Sequence, residues 1–205
     1  MVDGDEIGRL HDVCVQRWHE DDAAGVPEAG LAELVLENHR ANFDLWHEED
    51  RARDPRAEDG EIARVKRAID RLNQRRNDVV ERIDERLMEE AGEQGEEAPM
   101  HSETPGMMID RMSILALKIF HTREQAGRPD VSEAHRMRNL DRLRVLEVQR
   151  ADLAGCLGRL WSEVLGGTRR FRIYRQMKMY NDPELNPAIY GSAAGGTRAG
   201  RSDQK

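Results

Sequence analysis

Histidine, asparagine and acidic residues recur at helical spacing along three stretches of the chain. In the first, His39, Asn42, Phe43, Trp46, His47 and Asp50 follow one another at three- and four-residue steps. In the second, Lys66, Asp70, Asn73 and Asn77 do the same, and in the third Asp110, Ser113, Leu117 and His121. Residues three and four apart share one face of an α-helix, so each stretch carries a polar stripe beside its apolar one. Imidazole next to carboxylate is a pairing suited to general acid–base chemistry. His47 and His121 are the candidate acid or base, with Asp50 or Asp70 as orienting carboxylate. His39, Asn42, Trp46, Asn73, Asn77 and Asp110 are candidate ligand contacts.

Cations accompany the stripes. Arg51, Arg53, Lys66, Arg111 and Lys118 stand next to them, and guanidinium forks suit phosphate. A second group, Arg169, Arg170, Arg172, Arg175 and Lys178, has no acid inside it and is interleaved with Phe171, Tyr174 and Tyr180, with Asn181 following. Cations among aromatic rings suit a phosphate joined to a base or sugar. Arg172, Tyr174, Lys178, Tyr180 and Asn181 therefore join the candidate ligand contacts. Simpler explanations fit both groups. The stripes are also what a buried hydrogen-bond network fixing helix register looks like, or a solvated flank with ion pairs such as Lys66 with Asp70. Cations after a helix also complement its dipole while aromatics dock the chain that follows.

Metal motifs are weak. HExxH and CxxC are absent, and Asp44-x-x-His47 occurs once, with aspartate where di-iron bundles use Glu-x-x-His twice. No residue is assigned as a metal ligand. Magnesium stays open as a cofactor, held by Glu49, Asp50, Asp70 or Asp78, because it needs only one or two carboxylates and a substrate phosphate. That layout is loosely similar to the carboxylate-lined bundles of all-α nucleotide pyrophosphatases. Ser102 and Ser113 lack a nucleophile elbow, and there is no glycine-rich phosphate loop. Cys156 reads as a core residue on an apolar helix face.

The elements that must position these groups are helices. Ile7, Leu10, Val13, Cys14 and Trp18 give a short first helix, broken at Gly25-Val26-Pro27. A second helix is expected from about Ala29 to Arg53, ending before Pro55. Ile62, Val65, Ile69, Leu72, Val79, Ile83 and Leu87 mark a third, from about Glu58 to Glu90. Thr104-Pro105 suits the start of a fourth, with threonine as N-cap and proline in the first turn, running to about Gln125. A fifth runs from about Ser132 to Leu165 and stops at Gly166-Gly167. Strand signals are nearly absent, with only Phe171 to Tyr174 alternating. The expected fold is all-α, an antiparallel bundle of about five helices, as one domain over residues 1–190 with a disordered tail over 191–205.

Composition limits the function classes. The net charge of −8 argues against bulk nucleic-acid binding, which needs a cationic surface. Charged residues are 35% of the 205, above the usual value of about 25%, which suits amphipathic helices. No apolar run approaches the length of a membrane span, and the acidic start Met-Val-Asp-Gly-Asp-Glu is unlike a signal peptide. Two cysteines make no disulfide framework. A cytoplasmic protein is expected, and narrow seams on long helices leave a homodimer open.

Three blocks carry a resemblance to a known family. One is His39-Arg-Ala-Asn42-Phe43-Asp-Leu45-Trp46-His47-Glu-Glu49-Asp50-Arg51-Ala-Arg53, continued by Lys66 to Asp70 and by Asn73 and Arg76-Asn77-Asp78. Another is Glu103-Thr104-Pro105-Gly106 with Ile109 to Leu115 and Leu117 to His121, and the last is Gln176 to Pro183 with Asn186-Pro187. Together they span about Glu37 to Pro187 and resemble a bacterial family designated domain of unknown function four-two-five-four. The resemblance brings no catalytic residues with it. It implies cytoplasmic proteins often encoded beside glycosyltransferases of envelope polysaccharide assembly.

The leading expectation is a site inside a helical bundle that binds or processes a phosphorylated sugar or nucleotide-sugar. A non-enzymatic partner of a glycosyltransferase, docking through Arg169 to Tyr180, is the second. A magnesium-dependent nucleotide pyrophosphatase is the third.

Overall fold

A computed structural model describes residues 2–20, 30–175, 177 and 185. Five helices make up the first unit, residues 1–174: α1 Gly4–His19, α2 Leu31–Ala52, α3 Asp59–Ala91, α4 Pro105–Gly127 and α5 Glu133–Leu165. The expected all-α bundle is what forms. Of the remaining residues, 175–205, only Arg175, Met177 and Leu185 are described, so the expected tail over 191–205 lies outside the described residues.

Two antiparallel hairpins provide the frame. α2 runs along α3, where Glu37 meets Arg75 and Arg82 while Leu45 packs with Val65 and Ile69. α4 runs along α5, with Arg123 bonded to Glu147. α1 closes on α4 and α5. Its start is held by Asp3, whose side chain accepts from the backbone N–H groups of Asp5 and Glu6. The main core is built from Ile83, Leu87, Ile109, Met112, Leu157 and Trp161, each no more than 1% exposed. Side chains this enclosed are each worth roughly 1.5–3 kcal/mol in burial.

The start of α4 is welded to α3. Thr104 caps α4 by accepting from the Met107 N–H at 3.2 Å, with Pro105 in the first turn, as its sequence indicates. The Thr104 hydroxyl also donates to Asp84 Oδ2 at 2.5 Å, and the Gly106 N–H donates to Asp84 Oδ1 at 2.6 Å. A Cβ on Gly106 would stand 2.7 Å from both Asp84 Oδ1 and the Val80 carbonyl, so only glycine permits this approach. Burial pushes the Asp84 carboxyl up to about 6 against the pull of its two donors.

The alternating Phe171 to Tyr174 segment forms no strand among the described residues, as the scarcity of strand signals implies. Just before it Arg170 makes a single parallel bridge with Met100, and Phe171 is buried against the core with its N–H donating to Gln94 Oε1 at 2.8 Å. One sequence reading changes. Cys156 is exposed rather than buried, while Cys14 is the buried thiol. The buried face of α5 passes through Leu153, Leu157, Leu160, Trp161 and Val164, and Cys156 falls to its side. No described helix is long and apolar enough to cross a membrane.

Candidate functional site

The stripes of α2 and α4 meet in the interior. Asp110 Oδ1 accepts from Asn38 Nδ2 at 2.9 Å and Asn42 Nδ2 at 2.8 Å, and Arg76 Nε lies 3.5 Å away. Asn42 Nδ2 also reaches Ser113 Oγ at 3.0 Å. Beside it, His39 Nε2 faces the His11 carbonyl at 3.1 Å and Nδ1 faces Ser113 Oγ at 2.8 Å. A carbonyl only accepts, so the proton sits on Nε2 and Nδ1 accepts from the serine hydroxyl. Burial holds the ring neutral, at a pKa of about 3. The polar groups of His39 are thus committed to neighbours. These residues fix how α2, α4 and α1 register.

A second cluster lies where the C-terminal end of α1 meets α2 and α4. One ring nitrogen each of His19, His47 and His121 lies within 4.8 Å of the other two. Their Nδ1 atoms are already engaged. His19 Nδ1 faces the Val15 carbonyl at 2.7 Å, His47 Nδ1 the Phe43 carbonyl at 2.8 Å, and His121 Nδ1 a Glu124 carboxylate oxygen at 2.7 Å. Aromatic rings pack round the three. His19 stacks on Phe120 at 4.4 Å, and His121 on Trp46 at 4.7 Å. Burial pushes the His121 pKa down, against the pull of Glu124.

Two cavities share Trp46 as a wall. The larger, an open groove of about 740 Å³ between α4 and α5, is lined by Trp46, His121, Lys118, Asn139, Arg138 and Arg142, among others. Among the described residues, none of these three cations has a carboxylate partner, and Arg142 makes one long bond to Asn139 at 3.5 Å. The smaller, about 360 Å³, lies among α2, α3 and α4. It has Asn42, Trp46, Glu49, Asp50, Asn73 and Arg76 in its walls.

The residues named from sequence thus separate into groups. His39, Asn42 and Asp110 meet in the buried network. Trp46, Lys118 and His121 meet in the larger groove, and Asp50 and Asn73 face the smaller one with Asn42 and Trp46. His47 joins His121 in the histidine cluster. Lys66 and Asp70 pair with each other across one helical turn, with side chains 66% and 52% exposed. Arg51 pairs with Glu48 and Glu61, and Arg111 with Glu103. Arg111 and Lys118 line a further groove between α4 and α5 that includes Cys156. Asn77 is half-buried on α3, and Arg172 and Tyr174 are exposed after α5. Lys178, Tyr180 and Asn181 lie outside the described residues.

Sequence reasoning missed His19, Asn38, Arg76, Arg138 and Arg142. Asn38 and Arg76 fit the polar stripes, at i+4 spacing from Asn42 and i+3 from Asn73, and a stricter periodicity count would include them. His19 closes its helix, where a terminal histidine reads as dipole compensation. Among the described residues the group that could hold a metal ion is all histidine, although no metal ligand was expected from sequence.

No curated protein and no solved structure matches the chain. A family model does match, over residues 32–173. That range contains the first two blocks of the resemblance, whereas the block from Gln176 to Pro187 lies beyond it. With well over half of its length matched, the chain belongs to the family described as Protein of unknown function (DUF4254).

Proposed function

We propose that the groove beside Trp46 and His121 binds a phosphorylated sugar or nucleotide-sugar, and that the protein holds or processes this ligand in the cytoplasm during envelope polysaccharide assembly. One observation carries the reading. A stacked Trp46–His121 surface stands in the same groove as Lys118, Arg138 and Arg142, which have no carboxylate partner among the described residues. An aromatic face suits a sugar or base, and clustered cations suit a di- or monophosphate. A volume of about 740 Å³ accommodates a ligand of that size. His121 is then the candidate acid or base at the groove wall. Its Nδ1 is fixed by Glu124, the orienting role expected of Asp50 or Asp70.

The reading is tested by thermal unfolding against nucleotide-sugars, sugar phosphates and nucleoside phosphates. A ligand at about 100 times its dissociation constant adds about 2.7 kcal/mol, which for a chain of this size raises Tm by roughly 5–10 °C. A rise that vanishes in Arg138→Ala combined with Arg142→Ala supports the groove. No rise with any phosphorylated compound sinks it.

The exposure of Arg172 and Tyr174 favours a second reading, in which this segment docks on a glycosyltransferase. Binding of such an enzyme that survives groove substitutions but is lost in Arg172→Ala and Tyr174→Ala distinguishes it. The magnesium reading has less behind it: of its four carboxylates only Glu49 and Asp50 share a cavity, the smaller cleft, while Asp70 pairs with Lys66 and Asp78 accepts from Gln74.

A further inference from the structure

We infer that His19, His47 and His121 form a binding site for zinc or a similar borderline divalent ion, held by three Nε2 atoms with the remaining position open. This inference stands on the histidine cluster alone, independent of which ligand enters the groove.

Proton placement is the first argument. Carbonyl and carboxylate oxygens only accept, so the Nδ1 atoms facing Val15, Phe43 and Glu124 must carry the protons. In each neutral ring the lone pair is then on Nε2. Three helices therefore bring three acceptors together and no donor. The Nε2 atoms of His19 and His121 are both buried without a hydrogen-bond partner among the described residues. Buried polar atoms left unpaired are costly, and two in one cluster ask for a shared electrophile.

Geometry is the second. The ring nitrogens already lie within 4.8 Å of one another. Zinc takes histidine nitrogens at about 2.0–2.1 Å, which places tetrahedral ligands roughly 3.3 Å apart. Closing on an ion asks each ring to move inward by less than about 1 Å.

The surrounding contacts are the third. Metal-bound imidazole characteristically donates its other N–H to a carbonyl or carboxylate, which fixes ring orientation and raises basicity. All three rings do so here, and Glu124 supplies the carboxylate. Imidazole-only coordination suits zinc, copper, iron or nickel and not magnesium. Three protein ligands leave a position for water or an anionic oxygen, as in catalytic zinc sites. His121 also lines the larger groove, so the ion and the groove share a wall, and with the ion in place a water on its open position, not the imidazole, would be the acid or base there.

The test uses the untagged full chain, stripped with a chelator and titrated with zinc and with cobalt(II). One ion per chain is expected, with cobalt giving the intense visible bands of tetrahedral coordination. His19→Ala, His47→Ala and His121→Ala should each weaken binding at least 100-fold, and Glu124→Gln by about 10–100-fold. His101→Ala and His135→Ala, remote in sequence and outside the cluster, should bind as the parent does. Circular dichroism of the metal-free variants separates loss of ligation from loss of fold, and three independent histidines keep the test informative if one variant misfolds. Failure of the parent protein to bind zinc or cobalt, or binding unchanged in all three histidine variants, overturns the inference. Neither result bears on phosphorylated-ligand binding, which is read separately without metal.

Discussion

Trp46 lies flat on His121, ring centroids 4.7 Å apart and planes within 10°. The two come from different helices, α2 and α4, and Trp46 also walls the smaller cleft. The stack therefore joins three features: the groove, the cleft and the histidine cluster.

Removing that indole removes the aromatic face of the groove. Trp46→Ala should weaken binding of a phosphorylated sugar or nucleotide by about 1–3 kcal/mol, roughly 5- to 150-fold, whereas Trp46→Phe should retain most of it. Calorimetric titration of both variants checks this. Equal affinity in Trp46→Ala and the parent would remove the groove from the account.

The joint between α3 and α4 predicts two costly substitutions. Asp84→Ala strands the Gly106 N–H and opens a cavity, and Gly106→Ala drives a methyl into Asp84 and Val80. Each should lower unfolding free energy by about 1–3 kcal/mol in urea titration. A neutral Gly106→Ala would show that the two helices do not approach this closely.

Stability should fall on acidification. His11 and His39 are buried with pKa values below their ordinary 6.5, His39 at about 3, because burial disfavours the imidazolium. The unfolded chain takes these protons first. The stability they contribute is complete above about pH 6.5 and lost as pH falls from there through their lowered pKa values, about 3 for His39. Asp84, raised to about 6, works oppositely, its contribution present below about 3.8 and lost as pH rises through 6. Between pH 7 and 5 His39 alone loses about 2 kcal/mol and Asp84 returns about 1.3, and the loss at His11 adds to that of His39, so the net change is a fall in stability. Urea unfolding at the two values measures it. An unchanged free energy would mean that both rings accept protons while folded.

His11 should be replaceable. Its ring is fully buried, and neither nitrogen has a hydrogen-bond partner among the described residues, while its carbonyl serves His39. His11→Leu keeps that carbonyl and removes two unpaired polar atoms, so it should be neutral or stabilising by about 1 kcal/mol. A loss above about 2 kcal/mol would show that the imidazole itself is needed.

The five helices were legible because apolar spacing, Asp54-Pro55, Thr104-Pro105 and Gly166-Gly167 are local signals. The site was only half legible. Periodicity put His39, Asn42 and Asp110 beside their seams, but it does not say which polar side chains pair. It gave Lys66 and Asp70 the same weight, although they face outward and close an intrahelical pair worth only about 0.3–0.5 kcal/mol. His19 escaped because its partners lie 28 and 102 residues away in sequence, a relation only the packing of α1 on the bundle supplies. Cys156 falls outside the core because the buried face of α5 is narrower than its apolar periodicity suggests.

The central claim, that the Trp46–His121 groove takes a phosphorylated sugar, is tested most directly by calorimetric titration of a nucleotide diphosphate-sugar. The parent is compared with a variant carrying Arg138→Ala and Arg142→Ala. The account predicts one site per chain in the parent and affinity at least 10-fold weaker in the variant. Equal affinity in the two, or no heat with the parent, would contradict it.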